Sequence, residues 1–298
     1  MKSRRINYFK YFSLFFAIAV LVFIAGCSGT PPSVPIINSV TYNGNGNTAG
    51  TVPVDPSSPY QSGVTVTVLG NAGDLTRINS GGTSYRFTGW NTKADGTGID
   101  QAEGFTFIMG ASNVILYAQW TPYALRDIGP AGGYIFYDKG NYLKADFIIV
   151  KASGNGTVPI TPTYSDWRYL EAASSDSPSA EWGCDGTLIP GADGTAVGTG
   201  EQNTIDIEAG CTTPDTAADI CANLSLGGYT DWFLPSKDEL NLMYENLKVS
   251  GVGGFAGYYY WSSSEYGAHY AWYQNFNAGG QYSTNKNSTQ RVRAVRAF

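Results

Sequence analysis

The chain opens with a leader that does not belong to its folded part. Four basic residues lie within the first ten positions, and residues 11–25 are almost wholly apolar. This apolar run is shorter than the roughly 20 residues that a membrane-spanning helix needs, so it indicates a signal peptide and not an anchor. We therefore expect residues 1–26 to be removed and the remainder to fold on the far side of the membrane.

The end of the leader carries a second signal. Ile24-Ala25-Gly26-Cys27 resembles the lipobox of bacterial lipoproteins, in which the cysteine thiol receives a diacylglyceryl group and, after cleavage, its amine is acylated. Several acyl chains hold a protein stably to a bilayer. The resemblance implies palmitate-type lipidation of Cys27 and a lipid-anchored protein of the bacterial cell envelope, at the outer membrane or cell surface. An ordinary secretory signal, cut near Ala25 or Gly26, is the alternative.

Without the leader the chain is acidic and sparsely charged. Removing the four leader bases leaves 14 basic and 24 acidic side chains, a net charge of −10. Nucleic-acid binding depends on Lys and Arg near phosphates, so we expect no nucleic-acid partner, and we expect membrane contact through the lipid alone. The 37 Gly and 21 Tyr of the sequence are typical of exported β-rich domains with long loops.

Composition divides the remaining chain into three parts. Residues 27–37 hold the lipidated cysteine and three prolines without a charge, which favours an extended spacer. Residues 38–121 and 122–298 differ in their sequence patterns, and we place a domain boundary near Thr121-Pro122.

The segment 38–121 has the alternation of a small β domain. Val64, Val66 and Val68 share one face of a predicted strand, and Asp95-Gly96 is a strong hairpin signal. Three segments resemble, in order, the Listeria–Bacteroides repeat, also called the internalin B-repeat: residues 40–43, 87–92 and 116–120. The resemblance implies a β-grasp-like fold that acts as a spacer or an adhesive unit, here in a single copy.

Residues 122–298 mix strand patterns with two helical patterns. The first helix is predicted from Thr213 to Gly227. The second begins at Ser236, an N-cap with Glu239 three residues later, and the two residues are expected to form a capping box. Residues 127–138 are predicted as a Gly-rich loop that leads into a hairpin strand. The β-like segments after the helices, joined by turns of Gly, Asn and Ser, are residues 258–265, 271–276 and 291–298.

Six elements of this region resemble, in order, a family of bacterial secreted domains named after the C-terminal domain of the Legionella collagen-like adhesin: residues 129–133, 167–173, 198–204, 228–240, 260–265 and 291–296. The resemblance spans nearly all of residues 123–298. It implies an α+β fold akin to C-type lectin-like domains, with two helices, a hairpin-built sheet and long loops. Where a role is proposed for such domains, it is adhesion or glycan recognition at the cell surface, and fold alone does not transfer that role.

Nothing in the sequence predicts catalysis. His269 is the single histidine, and the C-x-x-C, H-E-x-x-H and G-x-S-x-G motifs do not occur. The run Ser262 to Ser264 is near His269 in sequence, but a hydroxyl-rich strand end is the simpler interpretation. We expect a non-enzymatic protein without a cofactor. A polysaccharide hydrolase that uses carboxylates of the acidic loops is the weaker alternative.

Calcium is the one metal that the acidic loops suggest. Residues 169–236 include eleven acidic residues and no Lys or Arg. Oxygen ligands from such loops suit Ca²⁺, although the EF-hand spacing is missing and acidic loops are usually just solvated. The weak candidates are Asp185, Asp193, Asp206, Glu208 and Asp215.

Aromatic residues in the last third of the chain are the candidate ligand contacts. Their rings can contact a sugar face or a protein partner. Strand alternation would bury either Ala271 and Tyr273 or Tyr270 and Trp272, so part of the set would belong to the core. The candidates are Tyr266, His269, Tyr270, Trp272 and Tyr273.

Three cysteines follow Cys27, an odd number. An oxidising compartment favours one disulfide and one free thiol. Cys221 falls on the apolar face of the first predicted helix, which suits a buried thiol, and Cys184 and Cys211 flank the acidic loop. The favoured pair is Cys184 with Cys211, and Cys211 with Cys221 is the alternative.

The function expected from the sequence is binding. A surface lipoprotein would bind a glycan or protein partner through residues 122–298, with the repeat as spacer; an envelope scaffold without a small ligand is the alternative. The adhesin that names the family is associated with sulfated polysaccharides, yet residues 122–298 carry 11 basic and 19 acidic side chains. This net charge of −8 repels polyanions and so favours a neutral glycan or a protein. The resemblance implies that Arg291, Arg293 and Arg296 pair with buried carboxylates.

Overall fold

The computed structural model describes residues 35–80, 82–140 and 167–298. The predicted leader, Cys27 and all but the end of the spacer lie outside these ranges. Within them, no helix is long and apolar enough to cross a bilayer.

The first part of the chain is built from short strands. Its described strands are β1 Ile37–Asn38, β2 Val40–Asn43, β3 Tyr60–Gln61, β4 Thr65–Thr67, β5 Arg77–Ile78, β6 Ser84–Asn91, β7 Asp100–Gln101, β8 Thr106–Ile108 and β9 Val114–Pro122. The main sheet has the order β2-β9-β6-β5, with β9 parallel to β2 and antiparallel to β6, and β7 pairs with β6. β1 with β3 and β4 with β8 form two smaller pairs, and the described residues before Tyr123 contain no helix.

Alternation along these strands builds one apolar core. Val66, Leu116 and Trp90 are buried there. The Trp90 ring packs edge-on against Tyr42 at a centroid distance of 4.8 Å, and its Nε1 donates to the Leu69 carbonyl at 2.9 Å. Burying this large ring while bonding its nitrogen stabilises a small domain without leaving a polar group unpaired.

One detail of the predicted alternation differs. The pattern predicts Val64 on the buried face with Val66, but Val64 is 43% exposed. The reason is that strand β4 begins only at Thr65, so Val64 lies in the preceding turn.

The second part contains two separate sheets and all of the described helices. Its strands are β10 Tyr134–Asp138, β11 Tyr169–Ala172, β12 Ser177–Ala180, β13 Tyr259–Gly267, β14 Tyr270–Asn275, β15 Gln281–Asn285, β16 Gln290–Val292 and β17 Val295–Ala297. One sheet has the order β10-β11-β17, and the larger one has the order β12-β16-β13-β14-β15. Helices grouped between the strands of two such sheets make this part α+β.

Three α-helices lie between β12 and β13: α1 Gly200–Gly210, α2 Ala217–Ala222 and α3 Lys237–Met243, which continues into a π-helical turn at Tyr244–Lys248. The capping box of α3 is confirmed, since Glu239 N donates to Ser236 Oγ at 3.3 Å and Ser236 N donates to Glu239 Oε2 at 2.7 Å. Helix α2 is shorter than its sequence pattern, because Thr216 caps its start and Asn223 its end.

Helix α1 is not predicted by the sequence. Its buried residues are Gly200, Asn203, Thr204 and Ile207. A face with so little apolar surface lacks the periodic stripe from which amphipathic helices are recognised. Instead, Asn203 Nδ2 donates to the Gly194 carbonyl at 2.6 Å, so α1 is held by polar contacts.

The last residues of the chain contribute one strand to each of these two sheets. Residues 291–298, predicted as one strand, divide between two: β16 lies between β12 and β13, and β17 pairs with β11. Trp182 and Trp261 belong to one buried cluster, and Phe136 and Phe276 belong to a second.

Candidate functional site

Strand register places three tyrosines on one face of the larger sheet. Tyr273 on β14 is opposite Trp261 on β13 and Tyr282 on β15, and residues opposite each other share a face. The ring of Tyr273 lies 5.2 Å from that of Tyr259 and 6.1 Å from that of Tyr282, centroid to centroid. Trp261 is buried, whereas Tyr259 and Tyr282 are 44% and 56% exposed. We call Tyr259, Tyr273 and Tyr282 the tyrosine cluster.

The tyrosine cluster offers rings and hydroxyls together. Burial raises the pKa of Tyr273, and its neighbours Tyr259 and Tyr282 raise it further. At neutral pH the Tyr273 hydroxyl is therefore uncharged and can both donate and accept a hydrogen bond. Exposed rings with such hydroxyls suit non-covalent contact with a partner that has an apolar face and polar edges.

The opposite face of the same sheet is held by helix α3. Gln281 Nε2 donates to the Lys237 carbonyl at 2.7 Å. Lys237 Nζ lies 4.2 Å from the centroid of the Trp272 ring, whose edge-on neighbour is Tyr266 at 5.2 Å. These contacts fix β14 and β15 from behind, so the tyrosine cluster lies on a supported surface.

The five aromatic and histidine candidates from the sequence do not form one site. They are divided among three places: Tyr273 lies in the tyrosine cluster, Trp272 and Tyr266 lie together near α3, and His269 and Tyr270 lie at the β13–β14 turn. His269 Nδ1 is 2.9 Å from Asp185 Oδ1, a contact on the surface. Along β14, Ala271 is buried and Tyr270 is exposed, whereas Trp272 and Tyr273 are both partly buried, so neither of the two predicted alternations holds throughout.

Two members of the tyrosine cluster were missed. Tyr259 begins β13, and Tyr282 lies in β15, a strand that was not predicted. The available signal was the stretch Gln281 to Asn285, whose Tyr and Thr have β propensity. The sequence could not show that Tyr282 is opposite Tyr273, because that pairing depends on register.

The five calcium candidates do not converge. In the described ranges, no three acidic, His or Cys side chains form a group that could hold a metal ion. Asp185 contacts His269, and Asp206 Oδ1 accepts from Gln202 Nε2 at 3.0 Å. Burial raises the pKa of Glu208, and the nearby carboxylate of Asp219 raises it further. Asp193 and Asp215 likewise belong to no such group.

The cysteines are arranged around the same loops. A disulfide joins Cys184 to Cys211, with their Cα atoms 5.6 Å apart. Cys221 is free and fully buried on α2, and burial raises the pKa of its thiol. The disulfide tethers the loop before α1 to the residue that follows α1.

The three consecutive serines are engaged in structural contacts. Ser262 Oγ donates to the Trp272 carbonyl at 2.9 Å, and Ser264 Oγ donates to the Gly194 carbonyl at 2.6 Å. Asn203 Nδ2 donates to Ser263 Oγ at 3.1 Å. These partners are backbone carbonyls and a side-chain amide, so the run forms no contact with His269 of the kind that would activate a nucleophile.

The C-terminal arginines are paired with carboxylates. Asp176 accepts from Arg291 Nη1 at 3.0 Å and from Arg293 Nε at 2.7 Å. Arg293 is almost completely buried and also donates to backbone carbonyls. These ion pairs leave the two side chains little freedom to form a basic patch.

Arg296 completes this set of ion pairs. Its Nε and Nη2 donate to the two Asp231 oxygens at 2.8 Å each, and its Nη1 contacts Glu171 Oε2 at 3.4 Å. The hydrogen bonds from Arg296 lower the pKa of Asp231, whereas burial raises the pKa of Glu171. Bidentate pairing of this kind holds a guanidinium in one orientation.

The tyrosine cluster, the disulfide and all three helices lie within or at the edge of a recognisable domain. Residues 181–296 match the model of the Lcl C-terminal domain. The match confirms the resemblance to the Legionella collagen-like adhesin domain over this part of the chain.

Other similarities cover less of the relatives than of this chain. The chain is 41% identical over 81 residues to a protein of Evansella cellulosilytica named "Putative membrane protein", and 40% identical over 81 residues to a "Putative Gly-rich membrane protein" of the same organism. Both alignments cover 27% of this chain and only 11% and 8% of the relatives. The chain thus spans about a tenth of the length of these relatives.

A solved structure of a fimbrial protein from Bacteroides ovatus is also similar. It shares 12% sequence identity, and the superposition covers 88% of this chain and 70% of that chain with a TM-score of 0.38. This similarity is too weak to define a shared fold.

Proposed function

We propose that this chain is a lipoprotein of the bacterial cell envelope that binds a neutral glycan or a protein through its C-terminal part, without catalysing a reaction. The tyrosine cluster carries the proposal, because neighbouring tyrosine rings on a supported sheet, two of them exposed and the third half-buried between them, are typical of binding surfaces. Residues 38–121 would act as the spacer, and the C-terminal part would be C-type lectin-like.

The location is supported by independent features. The leader and Cys27 fit a lipid anchor at the outer membrane or cell surface. The Lcl domain match and the names of the relatives from Evansella cellulosilytica fit a surface protein. The proposal needs no cofactor.

The charge distribution supports a neutral partner. The C-terminal arginines are paired with Asp176, Asp231 and Glu171, and acidic side chains outnumber basic ones in residues 122–298. A polyanion would meet repulsion, and the paired C-terminal arginines offer it no cationic patch in return. Tyrosine rings and hydroxyls, by contrast, can contact uncharged sugars or a polar protein surface.

We expect the double variant Tyr259→Ala/Tyr282→Ala to weaken partner binding about thirtyfold. Truncating a partly exposed aromatic contact costs about 1 kcal/mol, and two such losses, about 2 kcal/mol together, correspond to this ratio. The measurement is binding of the mature chain to an array of neutral and sulfated glycans and to surface proteins of neighbouring cells, followed by calorimetry on each ligand found. Tyr266→Ala is the matched control, since Tyr266 is at least as exposed as Tyr259 and Tyr282 but packs with Trp272.

Three outcomes of this experiment separate the alternatives. Loss of binding only in the double variant supports the tyrosine cluster. Equal binding by wild type and double variant contradicts it, and equal loss in both variants assigns binding elsewhere on the sheet. A chain that binds neither glycans nor proteins would be an envelope scaffold.

A second prediction concerns sulfated polysaccharides. We expect the chain to pass through immobilised heparin at physiological salt, because its C-terminal arginines are engaged with carboxylates. Retention that rises as salt falls and disappears in Arg291→Ala would refute this expectation. Arg291 is the informative position, because its side chain is 35% exposed whereas those of Arg293 and Arg296 are buried.

A further inference from the structure

The larger C-terminal sheet ends in two strands of opposite character. At one edge, β12 contains Pro178, and its pairing with β16 shifts register between Ser177 and Ala180. Both features obstruct pairing with a further strand. At the other edge, β15 pairs with β14 over five residues without a shift, and it contains no proline and no charged side chain. Among the described strands of this sheet, the β12 edge is therefore protected and the β15 edge is not.

Hydrogen bonds on either side of β15 define its ladder with β14. Before β15, Asn275 N donates to the Gly280 carbonyl at 2.9 Å, and after it, Lys286 N donates to the His269 carbonyl at 3.0 Å. Hydrogen-bonded and non-hydrogen-bonded pairs alternate along an antiparallel ladder. Positions 280, 282, 284 and 286 therefore bond toward β14.

At the alternate positions of β15, the backbone N–H and C=O groups point away from β14, out of the edge of the sheet. These positions are Gln281, Ser283 and Asn285. Among the described residues, only one of these six backbone groups has a backbone partner, the Asn285 carbonyl, which accepts from Ser288 N at 2.9 Å. The edge thus presents a regular row of donors and acceptors.

The chemistry of the row suits a second copy of this chain. Its three outward positions are symmetric about Ser283, with amide side chains at both ends. In a mature chain of net charge −10, β15 is a stretch without charge, so two copies could meet there without like-charge repulsion. The charge of the next residue, Lys286, does not oppose pairing at this edge, because its side chain is buried against Glu265.

We infer that β15 pairs antiparallel with β15 of a second copy, about a two-fold axis at Ser283. Ser283 then faces Ser283 of the second copy, and Gln281 faces Asn285. Exchange of backbone hydrogen bonds at these positions gives up to about six bonds and joins two five-stranded sheets into one. A contact between identical surfaces closes on itself, as two-fold dimers do. The pairing does not depend on which ligand the tyrosine cluster binds.

The first test is the oligomeric state of the mature chain with Cys27→Ser, which carries no lipid. Sedimentation velocity up to about 1 mM populates even weak contacts, and we expect a concentration-dependent dimer. Ser283→Pro removes an N–H that has no partner within one copy, so the monomer should keep its fold, verified by circular dichroism, while the dimer is lost. Ser283→Thr keeps the backbone donor and should dimerise like the wild type.

The second test uses charge. Ser283→Asp and Ser283→Lys place like charges opposite each other across the axis, and each should raise the dissociation constant about fivefold. An equimolar mixture of the two variants should dimerise more tightly than either alone. A chain that stays monomeric at every concentration, or a dimer that persists in Ser283→Pro, would overturn the inference.

Discussion

Glu265→Gln is expected to lower the free energy of unfolding of the C-terminal part by about 3–5 kcal/mol. Lys286 is completely buried, and its Nζ lies 2.5 Å from Glu265 Oε1 and 2.7 Å from the Thr187 carbonyl. Glutamine keeps the shape and can still accept the hydrogen bond from Ile189 N. It removes the negative charge, however, so the lysine cation is left uncompensated where water cannot solvate it.

Urea unfolding followed by tryptophan fluorescence measures this effect. Arg86→Met is the matched control, because the Arg86–Asp127 pair is 3.6 Å long and half-exposed, and its loss should cost at most about 1 kcal/mol. The double variant Glu265→Leu/Lys286→Met should regain much of the stability, since neither charge remains. A loss below about 1 kcal/mol in Glu265→Gln would show that water reaches Lys286 in solution.

Stability is also expected to depend on pH through Glu239. Burial raises the pKa of this carboxyl from 4.5 to about 7, although Ser236 N and Gly198 N donate to it. Between these values the folded chain keeps the proton while the unfolded chain has lost it. The free energy of unfolding therefore falls as pH rises from about 4.5 to 7, by about 3 kcal/mol, and the loss is complete above pH 7.

The comparison that isolates this group is wild type against Glu239→Gln. The amide resembles the protonated acid, so the stability difference between the two proteins should change by about 3 kcal/mol between pH 4.5 and 7.5. Glu245→Gln, an exposed carboxylate further along the same helical segment, controls for the loss of a charge. A difference that stays constant over this range would mean that Glu239 is ionised at pH 5 in the folded chain.

Local patterns predicted the elements that local contacts determine. The capping box of Ser236 and Glu239 was readable because both residues and their bonds lie within one turn. Helix α1 was missed because it is held by bonds such as Asn203 to Gly194 and Ser263, which only the folded chain brings together. The division of residues 291–298 between two sheets was hidden for the same reason.

The sequence predicted which kind of residue forms the candidate site, but it did not predict all of its members. The sequence indicated candidate aromatic contacts on the last strands, and one of them, the half-buried Tyr273, belongs to the tyrosine cluster. Tyr259 and Tyr282 join it through the register of β13, β14 and β15, which sequence alternation leaves open because it fixes faces and not partners. The arginine pairs with Asp176, Asp231 and Glu171 are equally remote along the chain.

The closing strands also determine when the fold can be completed. β16 lies between β12 and β13, and β17 pairs with β11. Neither C-terminal sheet is therefore complete until the last strands of the sequence have joined it. Contacts between such distant segments form slowly, because a long loop must close before they stabilise anything. If the chain is exported as the proposed lipoprotein, with its N terminus first, Cys27 would reach the lipid before these sheets could close. Late closure would keep the polypeptide extended during translocation and postpone folding until it has arrived.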